Sequence, residues 1–288
     1  MPSAKAQFHK LHSRQYGEFR YAYPVLSRRS GGVSIGVNVN LDKLCNFDCP
    51  YCQVDRKIPG PPQHIDLERL REEVEALLES VDENGVCRLP LFDALPKADK
   101  KLRDVALSGD GEPTMIPEFD AVCSILHEVQ AGLAQNIFRL VLISNATLFD
   151  RPKVKAGIAS LLSGGGEVWA KLDAGTEAWY QKVNISRVSL DKIESNLILL
   201  GSWAPFKIQT CFCRIHEAGW NENEVNNYLN RLERVRASGA KILEVQLYTL
   251  ARRPADISVT AVEGDFLLSM REKISAMGMD AKVYGGAD

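Results

Sequence analysis

The chain contains no stretch of 18 consecutive apolar residues, and its beginning has neither an apolar core nor the small-residue cleavage site of a secretory signal. We therefore expect no transmembrane helix, no membrane partner and a cytoplasmic location. The sequence also has little excess charge. The formal net charge of its 288 residues is −2, which argues against a dedicated nucleic-acid-binding protein.

Charge is nevertheless distributed unevenly. Residues 1–35 carry six basic side chains and one acidic one, so this segment has a net charge of +5 and the remainder of the chain has −7. A basic segment attracts phosphate groups, although such runs are more often solvated surface. Residues 1–32 are interpreted as an N-terminal arm that precedes a domain covering residues 33–288 with a C-terminal extension.

Segments with strand-like and helix-like patterns alternate along the domain. Strands are predicted at 33–41, 104–108, 138–144, 167–172, 207–214 and 241–248, with a short tail strand at 281–284. Alternation of this kind implies parallel pairing and right-handed crossovers. We predict an α/β fold, a partial (β/α)6 TIM-like barrel in a single domain, with its chemistry at the carboxyl ends of the strands. An open doubly wound sheet is the alternative, but its G-x-G-x-x-G fingerprint is absent after the first strand.

Cysteine is scarce, yet three of the seven cysteines fall in one run, Cys45-Asn-Phe-Asp-Cys49-Pro-Tyr-Cys52. Three thiolates at this spacing can converge on one metal centre, and an iron–sulfur cluster held by three cysteines keeps one iron open to a ligand. Structural zinc prefers four ligands, so zinc with a water in the fourth position and a buried cysteine cluster are the alternatives. The pattern favours a reducing compartment over a disulfide framework.

Two segments resemble motifs of the radical S-adenosylmethionine (SAM) enzymes. The cysteine run is similar to their cluster loop, including the aromatic Tyr51 before the third cysteine. The segment 108–113, Ser-Gly-Asp-Gly-Glu-Pro, is similar to their glycine–glycine–glutamate–proline motif, with Asp110 in the place of one glycine and the match carried by Gly111 and Glu112. Together with residues 23–32, these motifs resemble those of a poorly characterised branch of the radical SAM superfamily. That branch is distantly grouped with the tRNA-wyosine synthases. Those synthases carry a second cluster on N-terminal cysteines, and residues 1–44 contain none.

This resemblance implies a cofactor set and a chemistry. A [4Fe–4S] cluster would be bound by Cys45, Cys49 and Cys52, with SAM at its open iron. A flavodoxin- or ferredoxin-type reductant would supply the electron that cleaves SAM to methionine and a 5′-deoxyadenosyl radical. That radical would abstract hydrogen from the substrate, in an oxygen-sensitive enzyme.

The residues expected to bind SAM lie at the ends of the predicted strands. They are Tyr51, Asp110, Gly111, Glu112, Ser144, Asn145, Lys171, Asp173, Gln209 and Leu247. The resemblance implies that Tyr51 packs near the adenine and that Glu112 pairs with the methionyl ammonium. Lys171 and Asp173 share one side of a strand, where they could contact SAM or form an internal ion pair.

Three further residues are catalytic candidates. Strand alternation puts Cys211 and Cys213 on one face with Gln209, where either thiol could donate a hydrogen atom to a substrate radical, although buried cysteines more often act as small hydrophobes. Tyr248 ends the sixth strand and could contact substrate, and Arg252 beyond it could hold a carboxylate or phosphate.

The substrate is expected to be a small molecule rather than tRNA, because no added domain for a macromolecule is visible. Modification of tRNA is the first alternative, and activation of a glycyl-radical partner is the second. A non-enzymatic iron–sulfur or zinc module is the alternative from another class of protein.

Overall fold

The computed structural model describes residues 8, 13–61, 64–133, 137–216, 218–252, 254 and 256–285. Of the predicted arm, residues 1–7 and 9–12 lie outside this part of the chain. None of the described helices combines the length and the apolar character needed to cross a membrane.

Ten strands in the described part of the chain form two sheets. In chain order they are β1 (Ala22–Ser27), β2 (Gly32–Val37), β3 (Leu102–Leu107), β4 (Arg139–Ser144), β5 (Glu167–Lys171), β6 (Phe206–Cys211), β7 (Cys213–Ile215), β8 (Ile242–Tyr248), β9 (Val259–Ala261) and β10 (Ala281–Tyr284). The large sheet has the order β1-β2-β3-β4-β5-β6-β8-β10 and is parallel except for the antiparallel β1–β2 hairpin. The small sheet pairs β7 with β9.

The strand order confirms the predicted partial barrel. From β2 to β8 the strands of the large sheet follow one another in chain order with no reversal. A doubly wound sheet reverses its order at a switch point, so that alternative is wrong. The eight strands curl in one direction to form half a barrel in a single α/β domain.

Seven helices in the described residues cover the outside of the sheet. They are α1 (Leu67–Glu79), α2 (Phe119–Ala131), α3 (Pro152–Ser163), α4 (Glu177–Val183), α5 (Leu190–Gly201), α6 (Glu222–Ala237) and α7 (Gly264–Ala276). Four of them begin where a polar side chain accepts a hydrogen bond from the first turn, at Asp66, Thr176, Ser189 and Asn221. Their apolar faces and the outer face of the sheet form the main hydrophobic core.

Ion pairs fill the amino end of the barrel interior. The carboxylate of Glu167, at the start of β5, lies 3.2 Å from Arg139 on β4 and 3.0 Å from Lys207 on β6. It also accepts a hydrogen bond from the indole N–H of Trp169 (2.8 Å). Above this layer, Trp169 packs against Ala106 and Val141 in a small inner core. The cavity inside the barrel lies beyond the Glu167 ion pairs and opens toward the carboxyl ends of the strands.

Two strand predictions were inaccurate. The predicted strand 207–214 is two strands, because the chain leaves the large sheet after Cys211 and pairs with β9 from Cys213 onward. The sequence also missed β1, which lies within the predicted arm and pairs with β2 along its whole length.

A buried carboxylate of α1 fixes the start of β1. Glu73 accepts hydrogen bonds from the backbone N–H groups of Arg20 (2.8 Å), Tyr21 (2.6 Å) and Ala22 (3.1 Å), and from Arg69 (2.8 Å). Burial would raise the pKa of Glu73, but these donors hold it below its usual value.

Replacing Glu73 by alanine should therefore lower the free energy of unfolding by about 3 kcal/mol, because three backbone N–H groups, two of them buried, lose their acceptor. Glu75→Ala, at an exposed position of the same helix, is the matched control. Urea unfolding of both variants and of the wild type measures the difference.

The same contribution should depend on pH. A carboxylate with a lowered folded-state pKa stabilises the protein above its unfolded-state pKa of about 4.3, and the stabilisation is lost as the pH falls through the folded-state value. The difference in free energy of unfolding between wild type and the Glu73→Ala variant should become smaller below about pH 4. A difference that stays constant down to pH 2 would contradict the role assigned to Glu73.

Candidate active site

A cavity of about 340 Å³ lies at the carboxyl ends of the strands. Its wall combines the loop after β2, the loops after β3 and β4, and inward-facing residues of β5, β6 and β8. This is the edge at which parallel α/β barrels place their reactive groups.

The cysteine loop forms one side of the cavity. Cys45, Cys49 and Cys52 all line it, and the loop is fixed from behind by the backbone N–H of Asp48, which donates to Asn184 O (2.9 Å). Burial, together with a smaller effect of nearby Glu112, raises the pKa of the Cys45 thiol to about 11. Burial also raises the pKa of Cys49, with Asp173 acting in the same direction. The Cys45 and Cys49 thiols are therefore protonated near neutral pH.

The donor set fits an iron–sulfur cluster. Within the described part of the chain, no three His, Cys, Asp or Glu side chains are arranged closely enough to hold a metal ion as they stand. Nevertheless, the loop supplies three sulfur ligands instead of the four that structural zinc prefers. The guanidinium of Arg56 lies near all three cysteines, with its strongest interaction to Cys52, and it would stabilise thiolate ligands. Metal binding would replace the thiol protons and draw the ligands together.

Glu112 connects the loops around the cavity. Its Oε1 accepts hydrogen bonds from Thr114 N (3.2 Å), Thr114 Oγ1 (2.6 Å) and Ser144 Oγ (2.7 Å). Among the described residues, its Oε2 accepts one hydrogen bond, from the backbone N–H of Asn145 (2.8 Å), and its own backbone N–H donates to Leu44 O in the cysteine loop (2.9 Å). Burial raises the pKa of Glu112, while the hydrogen bonds from Thr114, Asn145 and Ser144 oppose that shift. Because Oε2 has a single donor, it retains capacity to accept another.

Asn145 also contacts the cysteine loop directly. Its side-chain nitrogen donates to Asn46 Oδ1 (2.6 Å) and lies 3.9 Å from Cys45 Sγ. Gly111 and Ser144 line the cavity as well. Asp110 does not: it accepts a hydrogen bond from Asn38 (2.7 Å) and forms an ion pair with Arg14.

At the carboxyl end of β5, Lys171 and Asp173 form the internal ion pair, with Nζ and Oδ1 2.9 Å apart. Tyr51 of the cysteine loop donates to Asp173 Oδ2 (2.6 Å), and Lys171 donates to the hydroxyl of Tyr248. Burial would lower the pKa of Lys171, but Asp173 and Tyr248 raise it above its usual value. Lys171 is therefore a charged group on the cavity wall, whereas Asp173 lies behind it.

The remaining predicted residues are divided between the cavity and the core. Gln209 and Cys211 line the cavity beside Tyr248. Cys213 does not, because the alternation of β6 ends at Cys211 and Cys213 already belongs to β7. Leu247 is fully buried, and its side chain does not line the cavity, since alternation along β8 directs Tyr248 inward and Leu247 outward.

Several residues of the cavity wall were missed by sequence reasoning. Arg14, Arg28, Arg29 and Arg56 all line the cavity, as does Trp169. The basic composition of residues 1–35 was the available signal, but it could not show which arginines face inward. Asn184, which donates to Cys49 Sγ (3.3 Å), had no sequence signal because it comes from a distant helix end.

Comparisons with known proteins place this geometry in context. No protein-family model matches the chain. A UPF0026 protein of Helicobacter pylori (strain ATCC 700392 / 26695) is 28% identical over 138 residues, which are 47% of this chain and 37% of that protein. The UPF0026 protein MJ1312 of Methanocaldococcus jannaschii is 29% identical over 179 residues, 61% of this chain and 47% of that protein. The chain thus spans less than half the length of the curated relatives it matches.

Among solved structures, TYW1 with a bound lysine–pyruvate adduct is similar, with a TM-score of 0.56 and 16% identity over 95% of this chain and 81% of that one. The chain shares the fold of TYW1. The resemblance to radical SAM enzymes, and more distantly to the wyosine synthases, is therefore confirmed at the level of the fold. At this identity, the likeness does not assign a substrate.

The close approach of two loops makes Gly111 a sensitive position. A Cβ atom on Gly111 would lie 2.0 Å from the Leu44 carbonyl oxygen in the cysteine loop. Gly111→Ala should lower the free energy of unfolding by about 1–3 kcal/mol, because a backbone segment must move. Gly132→Ala, where the nearest atom is at an ordinary 3.5 Å, is the control. Equal stability of the two variants in urea would contradict the proposed packing.

Proposed function

We propose that the protein is a radical SAM enzyme that cleaves SAM at a [4Fe–4S] cluster and acts on a small-molecule substrate. One observation carries the proposal: the three loop thiols and the Glu112 carboxylate border the same cavity of the half barrel. The bound cluster would supply the electron that cleaves SAM to methionine and a 5′-deoxyadenosyl radical.

The cysteine loop is suited to hold the cluster. Cys45, Cys49 and Cys52 would be its ligands, with one iron left to SAM. The positive charge of Arg56 opposes the effect of burial on the pKa of Cys45, and Arg56 also lies near Cys49 and Cys52.

The walls beside the loop are suited to hold SAM. Oε2 of Glu112 would accept a hydrogen bond from the methionyl ammonium, and the charged Lys171 would face its carboxylate. Gly111, Ser144, Asn145 and Gln209 would complete this binding surface. Tyr51, fixed by Asp173, would contact the adenine. Asp110, in the loop after β3, and Leu247, in β8, would act through their backbone groups, since their side chains do not line the cavity.

The cavity wall at the ends of β6 and β8 is suited to bind the substrate. Cys211 is the thiol from which a substrate radical would take a hydrogen atom, and Cys213 lies next to it. Tyr248, held by Lys171, would position the substrate. The reductant would be a flavodoxin- or ferredoxin-type protein.

Experiments can distinguish two competing functions from this proposal. Modification of tRNA would require binding of tRNA that weakens steeply with salt, as a gel-shift at two salt concentrations would show. A non-enzymatic metal module would bind iron or zinc without any effect of SAM on the metal.

Removal of one cluster ligand tests the assignment of the metal site. Cys49→Ala should abolish incorporation of iron and sulfide under anaerobic reconstitution, because two thiolates cannot retain the cluster. Cys87→Ser is the matched control, since Cys87 is buried beside Ser80 and does not line the cavity. Wild-type iron content in the Cys49→Ala protein would reject the assignment.

Removal of the charge on Glu112 tests the SAM site. Glu112→Gln should retain the cluster but bind SAM about 10–100-fold more weakly, because a charge-assisted hydrogen bond contributes about 1.5–3 kcal/mol. Equilibrium dialysis with labelled SAM measures the affinity, and iron analysis of the same sample reports the cluster. Unchanged affinity in the variant would remove Glu112 from the site.

A further inference from the structure

A buried asparagine outside the cysteine loop contacts one of the three loop sulfurs. Asn184 directly follows α4, and its side chain is almost completely buried. Its Nδ2 donates hydrogen bonds to Cys49 Sγ (3.3 Å) and to Asp173 Oδ2 (3.0 Å). One amide group therefore joins a sulfur of the cysteine loop to the carboxylate that lies behind Lys171.

The neighbouring groups fix the orientation of this amide. A carboxylate can only accept hydrogen bonds, so the amide nitrogen of Asn184, and not its oxygen, must face Asp173. The nitrogen carries a second N–H, which is available to Cys49 Sγ. Tyr51 also interacts with Cys49, but its single hydroxyl proton is donated to Asp173 Oδ2 (2.6 Å). Asn184 can therefore serve the carboxylate and the sulfur at the same time.

The backbone around Asn184 is also held against the cysteine loop. The carbonyl oxygen of Asn184 accepts the backbone N–H of Asp48 (2.9 Å), and Ser186 Oγ donates to Asn46 O (2.9 Å). Between them, Ile185 has a φ of 47°, in the left-handed region that a β-branched residue rarely adopts. Such a conformation persists only where the surroundings hold it, and here contacts to the cysteine loop lie on both sides of it.

The other two sulfurs have donors from the cysteine loop or just beyond it. Cys45 Sγ accepts the backbone N–H of Phe47 (3.4 Å), and Cys52 interacts with the guanidinium of Arg56. The donor to Cys49 is instead a neutral side chain 135 residues away in the sequence. Removing it therefore changes neither the covalent structure of the cysteine loop nor the charge around it.

We propose that Asn184 is a positioning residue of the cluster site, and that its N–H···S hydrogen bond to Cys49 raises the reduction potential of the bound cluster. This inference rests on the proposed function and adds a residue that regulates the same site. A hydrogen bond to a ligand sulfur withdraws electron density from it and stabilises the reduced cluster, which carries one additional electron. Asn184 itself transfers neither an electron nor a proton: it acts through the sulfur of Cys49.

Replacing the amide tests the proposal on the anaerobically reconstituted full chain. Asn184→Leu removes both N–H donors and keeps a side chain of similar size, and Asn184→Ser, whose side chain ends short of the Nδ2 position, is the second variant. Spectroelectrochemical titration without SAM should give a more negative midpoint potential for both variants than for the wild type. Ser186→Ala is the matched control, because it removes a hydrogen bond from the same segment to the backbone of the cysteine loop and not to a sulfur. Its potential should equal that of the wild type.

Several results would overturn the proposal. A wild-type potential in an Asn184 variant with a full cluster would show that the hydrogen bond does not act on the cluster. An equal shift in Ser186→Ala would show that loosening the cysteine loop is sufficient. Loss of the cluster or of the native fold from both Asn184 variants would make Asn184 a structural residue only. Absence of a [4Fe–4S] cluster from the wild type would refute the proposed function and this inference with it, whereas a wild-type cluster with unchanged variant potentials would refute this inference alone.

Discussion

The buried carboxylate of Glu112 is the interaction on which the arrangement of the cavity depends. Its two oxygens accept four hydrogen bonds from Thr114, Ser144 and Asn145, and its backbone N–H reaches the cysteine loop at Leu44. One residue thus joins the loops that follow β2, β3 and β4. Because a buried carboxylate without these donors would be costly, the loops are held in one arrangement, and the same carboxylate keeps one oxygen available to a ligand.

Charge is organised differently at the two ends of the barrel interior. At the amino end, Arg139 and Lys207 lie beside the carboxylates of Glu167 and Asp104, so positive and negative charges are paired in that layer. At the carboxyl end, Arg28 and Arg29 line the cavity together with the thiols of the cysteine loop. The charged and polar groups at this end therefore face open space instead of a packed apolar core.

Much of the fold could be predicted from the sequence because its signals are local. The alternation of strand-like and helix-like segments predicted the six parallel strands of the large sheet from β2 to β8. β1 was missed because its sequence, interrupted by Pro24, becomes a strand only by pairing with β2 at the edge of the sheet. The break after Cys211 was missed for the same reason, since it depends on pairing with β9.

The residues of the candidate site likewise fall into those with a local sequence signal and those without one. Spacing indicated the three cysteines, and position at strand ends indicated Glu112, Ser144 and Lys171. Each of these signals can be read from a few neighbouring residues of the sequence. The inward-facing arginines could not be predicted, since Arg28 and Arg29 reach the cavity only when the β1–β2 turn folds beside Tyr248. The number of charged residues in a segment does not show which way their side chains point.

The central claim is that this cavity cleaves SAM at a cluster bound by the cysteine loop. The most direct measurement is 5′-deoxyadenosine formation by the anaerobically reconstituted protein after reduction with dithionite and addition of SAM. The account predicts 5′-deoxyadenosine together with methionine, and a change in the EPR signal of the reduced cluster when SAM is added. A fully loaded cluster that neither responds to SAM nor cleaves it, or zinc in place of iron, would contradict the account.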